Sequence, residues 1–183
     1  QMMEKVVLPE QRPRLTNEEV MARCPWATFG KLKHRGPNIV TSLELDPAEM
    51  EKRNIHLQQK YAEIEEKEVR YEEIHCDDAE YLIVAFGSCA RIAQKAMEEA
   101  RAEGIKVGLL RPITLWPFPS KAIAERSRQV KGILTVELNA GQMVEDVRLA
   151  VECKVPVEYF GRLGGIVPDP DEVVTALKEK IIK

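Results

Sequence analysis

The residues best placed to do chemistry in this chain stand where short apolar runs end. Gly87-Ser88-Cys89 follows the run Tyr81–Phe86 and opens a helical pattern. Bare N–H groups at such a turn attract an anion such as a phosphate, and Ser88 is expected to cap the helix. The plainer reading is a turn that needs a glycine and a cap; the spacing fits neither a P-loop nor a dinucleotide fingerprint. Cys89 is either a nucleophile with a lowered pKa at the helix start or a packed thiol, and the lack of a nearby histidine favours the thiol. Arg111, held by Pro112 directly after the run 106–110, sets a guanidinium at a strand's carboxyl end, where open α/β sheets bind ligands. It could grip a carboxylate, a ligand phosphate or an acidic partner residue, and the partner is the favoured reading.

A second group follows the run Ile133–Leu138. Glu137 sits among apolar neighbours and needs a partner if buried. Arg111 is expected to supply it in an internal clasp, with Gln142 solvated. The functional alternative turns Glu137 or Asn139 toward a substrate channel. Trp116-Pro117-Phe118-Pro119 is stiff and aromatic, so it is either a lid on the domain's own core or an interface patch. His34, His56 and His75 share no metal-binding or triad spacing. The cysteines at 24, 76, 89 and 153 contain no C-x-x-C pair, so no zinc or iron–sulfur site is expected.

The elements that must position these residues alternate regularly. Pro9, Pro13, Pro25 and Pro37 interrupt residues 1–46, which read as an extended connector with one capped helical turn near Thr16-Asn17-Glu18-Glu19. Asp46-Pro47-Ala48-Glu49 then opens a helix, with Asp46 as cap and Pro47 in the first turn. Met50, Leu57, Tyr61 and Ile64 form its apolar stripe to about Lys67. This helix and an edge strand from Val69 make up residues 47–76. From 77 to 183 the chain reads strand–helix throughout: strands 81–86, 106–110, 133–138 and 155–160, with helices near 90–103, 120–129 and 142–152. A last helix opens at Asp169-Pro170-Asp171-Glu172 with Val173, Val174, Leu177 and Ile181 inward. Such alternation implies a three-layer α/β/α sandwich on a mostly parallel sheet, with the Val69 strand antiparallel at its edge.

The totals exclude several classes. At 183 residues with 44% apolar and 31% charged residues, a buried core is available and wholesale disorder is not expected. A net charge of −3, with the cluster Lys31–Arg35 too short for phosphate tracking, gives no reason to expect a nucleic acid or an anionic membrane as partner. No apolar run approaches bilayer length, no secretion leader is visible, and the unclustered thiols suit a reducing cytoplasm. Gln1 precedes Met2, so the chain is expected either to be a piece of a longer protein or to carry added residues at its start, and the resemblance below favours the piece.

Three phrases in order carry a family resemblance: Ala85–Arg91 (AFGSCAR), Arg111–Pro119 (RPITLWPFP) and Val136–Met143 (VELNAGQM), followed by Gly161-Arg162-Leu163-Gly164-Gly165. Together they resemble the C-terminal part of the α-subunit of 2-oxoacid:ferredoxin oxidoreductases, of the 2-ketoisovalerate type. Gln1-Met2-Met3-Glu4 is similar to the end of that subunit's pyrimidine-binding domain. The resemblance implies a fold like the transketolase C-terminal domain, with about five strands and one antiparallel edge. It also implies a complex that decarboxylates a 2-oxoacid to an acyl-CoA and passes electrons to ferredoxin, using thiamine diphosphate, magnesium and iron–sulfur clusters. In that family the thiamine-activating glutamate, diphosphate site and clusters lie elsewhere, so no catalytic residue or bound cofactor is expected here. The expected partners are the other subunits, met by a face of Arg111, Trp116, Glu137 and Arg162, with CoA and ferredoxin for the whole complex. Two alternatives stand beside this reading: a C-terminal domain of a transketolase or 2-oxoacid dehydrogenase, and a stand-alone small-molecule-binding module.

Overall fold

A computed structural model describes residues 8–27, 36–38 and 41–182. The stretches 1–4 and 31–35, with His34, lie outside the described residues. The chain divides into two compact units, one ending at Asn54 and the other running from Ile55 onward.

In the first unit, helix α1 (Asn17–Arg23) begins with a reciprocal cap. Thr16 Oγ1 accepts the Glu19 N–H at 3.2 Å, and the Glu19 carboxylate accepts the Thr16 N–H at 2.8 Å. Helix α2 (Pro47–Lys67) begins in this unit and continues past Asn54 into the second; it starts as the Asp46 pattern requires, with Asp46 Oδ1 accepting from Ala48 N at 2.8 Å. None of its residues is buried; Met50, Leu57 and Ile64, seven apart, are only half-covered.

The second unit holds one five-stranded sheet of order β1-β3-β2-β4-β5. Its strands are β1 (Tyr71–Ile74), β2 (Tyr81–Ala85), β3 (Val107–Pro112), β4 (Ile133–Glu137) and β5 (Val157–Gly161). β1 pairs antiparallel with β3 at the edge, and all other pairings are parallel. Helices α3 (Gly87–Ala102) and α6 (Pro170–Leu177) cover one face, and α4 (Ser120–Arg126) and α5 (Met143–Val151) the other. The three-layer α/β/α sandwich expected from the alternation is therefore present.

Period-2 alternation explains both cores. Ile83 and Ala85 of β2 pack with Leu109, Leu134 and Val136 under the alanine-lined face of α3 and under Val173 and Leu177 of α6. Leu82, Val84, Leu110 and Ile133 turn the other way, onto Ile123, Met143 and Val147. Burying each such aliphatic side chain contributes about 1.5–3 kcal/mol. Gly108 is required by a close approach, since a Cβ there would stand 2.9 Å from the His75 carbonyl oxygen.

The order also corrects one expectation. β2 lies between β3 and β4, so Arg111 and Glu137 are not on neighbouring strands.

Candidate functional site

Strands β2 to β5 run parallel, so the loops after them share one edge of the sheet. β2→β3 moves toward one side and β3→β4 crosses to the other, which makes the carboxyl ends of β2 and β4 the switch point of this fold. The sequence candidates all lie on this edge, in four separate arrangements.

At β2, α3 begins about three residues earlier than expected, at Gly87 with φ +56°, and Phe86 is its N-cap with no side-chain cap. Ser88 therefore falls inside the first turn and does not cap it, a correction to the sequence reading. Gly87 and Ser88 are exposed, and Phe86 offers no side-chain cap to the opening turn. Cys89 behind them is buried, and its thiol is pushed up to about 11, first by burial and then by the charge of Glu137. A thiol held this way stays protonated and unreactive at neutral pH.

At β4, the Glu137 side chain is fully buried. Its carboxylate accepts the N–H groups of Gln142 at 3.2 Å, Met143 at 2.8 Å and Val144 at 3.0 Å. These are the otherwise unsatisfied donors of the α5 N-terminus, so the charge is held by backbone dipoles and not by Arg111. The loop it closes is tightly specified. Asn139 Oδ1 accepts the Gly141 N–H at 2.7 Å, and the Tyr159 hydroxyl donates to the Asn139 carbonyl oxygen. Tyr159 is pushed above its usual range by burial and then by Glu137. Asn139 is thus a turn-forming residue, and Gln142 is exposed as expected.

At β3, Arg111 lies within the strand and pairs across it with Glu72 of β1 at 3.1 Å. Its Nε is out of solvent with no acceptor among the described residues. After it the loop divides its side chains. Pro117, Phe118 and Pro119 cover the α4–α5 core, whereas Ile113, Leu115 and Trp116 point outward. The lid reading therefore holds for the second half of this phrase, and the first half is left exposed. The Trp116–Pro117 peptide bond is cis, and the Trp116 ring meets Tyr61 edge-on at 5.7 Å.

At β5, Arg162 pairs with Glu172, whose carboxyl group is held below its usual range, first by the Asp169 N–H and then by Arg162. The loop beyond exposes Leu163, Ile166 and Val167, each more than half accessible. With Ile113, Leu115, Trp116 and Leu138, these make the carboxyl edge an unusually apolar strip. Sequence reasoning missed two residues of this framework. Tyr159 is one, and Arg126 is the other; Arg126 grips Glu73 through Nε at 3.0 Å and Nη2 at 2.5 Å, tying α4 to β1. No group of three metal-ligating side chains forms among the described residues.

Comparison with known proteins agrees with this architecture. The fold aligns with a 2-oxoglutarate:ferredoxin oxidoreductase from Magnetococcus marinus, solved with 2-oxoglutarate, coenzyme A and succinyl-CoA bound. The TM-score is 0.68 at 24% identity, over 80% of this chain and 27% of that one. It also aligns with a split-gene transketolase, described as an inactive beta4 tetramer. There the TM-score is 0.53 at 22% identity, over 60% of this chain and 40% of that one. In sequence, the ketoisovalerate oxidoreductase subunit VorB of Methanothermobacter thermautotrophicus is 47% identical over 165 residues, covering 88% of this chain and 46% of the relative. The chain thus spans about half the length of the curated relatives it matches. Residues 79–173, about half of the chain and the whole stretch from before β2 into α6, match the model of the pyruvate:ferredoxin oxidoreductase core domain II, and to that family, within the 2-oxoacid:ferredoxin oxidoreductases, the chain belongs.

Proposed function

We propose that the chain is the second, non-catalytic part of the α-subunit of a thiamine-diphosphate-dependent 2-oxoacid:ferredoxin oxidoreductase of ketoisovalerate type. The whole complex would oxidatively decarboxylate a 2-oxoacid to an acyl-CoA and pass the electrons to ferredoxin. The observation that carries the reading is the apolar carboxyl edge. Seven large apolar side chains, Ile113, Leu115, Trp116, Leu138, Leu163, Ile166 and Val167, stand exposed on the loops of one sheet edge, beside a fully buried carboxylate that rigidifies one of those loops. An edge so built is suited to pack against other parts of an assembly. The substrate type is supported by the name of the VorB relative and by the sequence resemblance; the α label rests on the resemblance alone and is not carried by the VorB name.

Thiamine diphosphate supplies carbanion stabilisation when bound. Among the described residues no three His, Cys, Asp or Glu side chains converge into a site for its magnesium ion. The thiols of Cys76 and Cys89 are both buried, and burial pushes each up to about 11. This chain's part is then to hold geometry. Gly87, Ser88 and Arg111 would border the acyl-acceptor path, and Trp116, Leu163 and their neighbours would meet the partner surface. We assign residues 1–46 as connector, 47–76 as linking helix and edge strand and 77–183 as the platform, in a cytoplasmic enzyme; no helix among the described residues is long and apolar enough to cross a membrane.

The test is turnover. Supplied with 2-ketoisovalerate, CoA, thiamine diphosphate and magnesium, the excised chain should reduce no viologen dye. The complete subunit co-expressed with its partner subunits should reduce it. Dye reduction by the chain alone would overturn the reading.

A further inference from the structure

Beside the apolar edge, at the β1 side of the sheet, an open groove of about 840 Å³ runs between the second half of α2 and the loop leading into α4. Glu65 and Glu66 line one wall; Tyr71, Trp116, Phe118 and Lys121 line the other. Lys67 pairs with Glu63 at 3.7 Å and Arg70 with Glu68 at 2.9 Å, which leaves Glu65 and Glu66 without an ion-pair partner among the described residues. Trp116 is 55% exposed and Tyr71 44%, despite their size. Tyr61, meeting the Trp116 ring edge-on, fixes how the indole stands.

Unpaired carboxylates opposite exposed aromatic rings select a particular cation. A guanidinium is flat, weakly hydrated and always charged; it stacks on an indole face while its N–H fork meets carboxylates. An ammonium would keep more of its water and stack less well. The trough is open along its length, which suits a polypeptide passing through it, and its aromatic wall continues into the apolar strip of the carboxyl edge.

We propose that this groove docks an extended, arginine-bearing segment of a partner polypeptide, with the guanidinium stacked on Trp116 and paired with Glu65 and Glu66. The occupant is a partner segment because the groove adjoins the edge assigned to assembly, and to that extent the proposal rests on the functional reading above. Lys121 on the far wall can meet a backbone carbonyl of the docked segment, but its charge also opposes the guanidinium.

The experiment titrates the whole chain with the tripeptide N-acetyl-Ala-Arg-Ala-amide, following the indole N–H resonance of Trp116 by NMR. The expected result is a saturable shift, weakened roughly ten-fold by Glu65→Gln with Glu66→Gln and strengthened by Lys121→Glu. All three positions lie at the surface, so the variants should melt like the parent protein. The same tripeptide with norleucine in place of arginine should give no saturable shift. An equal response to norleucine would make the groove a merely apolar surface and overturn the proposal. So would no response to arginine, or a response indifferent to the carboxylates. The functional reading is tested separately by turnover, so a silent groove in an active complex sinks this inference alone.

Discussion

Glu137→Ala should cost the fold about 3–5 kcal/mol, the largest stability loss expected from any single polar side chain in this molecule. The carboxylate is fully buried, and three backbone N–H groups at the start of α5 donate to it. Alanine leaves those donors out of water with no acceptor and opens a void beside Cys89 and Tyr159. Glu137→Gln keeps one acceptor oxygen and turns an amide N–H₂ toward other donors, so it should cost about half as much. Arg111→Ala gives the contrast. An Arg111–Glu137 clasp would make the two substitutions equally damaging. The observed Arg111–Glu72 pair is exposed on both sides, so its loss should cost no more than about 1 kcal/mol. Urea denaturation at constant m-value separates these outcomes, and equal losses would revive the clasp.

The second large effect should appear in assembly. Leu163→Asp together with Ile166→Asp places two charges on side chains that are 58% and 57% accessible, so the fold should barely notice. If the carboxyl edge is buried against partner subunits, two unpaired carboxylates there should weaken association on the order of a hundred-fold or more. The control is Leu149→Asp. Leu149 is 76% accessible on α5, away from that edge, and its change should leave co-purification with the partner subunits intact. Equal recovery of partners with the edge variant and the control would contradict the role given to this edge.

The layered fold was legible because strand and helix periods differ. Leu82 and Val84 alternate against Ile83 and Ala85, and Ile92, Ala96, Met97 and Ala100 recur at helical spacing, so each segment declares its own type. Caps were legible where a side chain does the capping, as at Asp46 and at Asp169 with Glu172. Ser88 misled because the N-cap falls two residues sooner, at Phe86, and the helix opens on the left-handed Gly87. The Arg111–Glu137 clasp failed for a different reason. Periodicity identifies strands but not their neighbours, and β2 separates the two. Glu137 was recognisable as a residue in need of a partner; that the partner would be the backbone five to seven residues onward requires the turn geometry of Asn139 and Gly141. Tyr159 and Arg126 were illegible because their contacts, to the Asn139 carbonyl and to Glu73, join segments 20 and 53 residues apart.

The central claim is that this domain is a platform whose carboxyl edge is covered in the working enzyme. Hydrogen–deuterium exchange on the chain alone and in the assembled complex tests it most directly. The account requires slowed exchange on assembly at residues 113–116, 138–142 and 163–167, with the opposite end of the sheet, around 77–80 and 131–132, unchanged. Protection confined to that opposite end, with the carboxyl-edge loops exchanging as freely in the complex as in isolation, would contradict it.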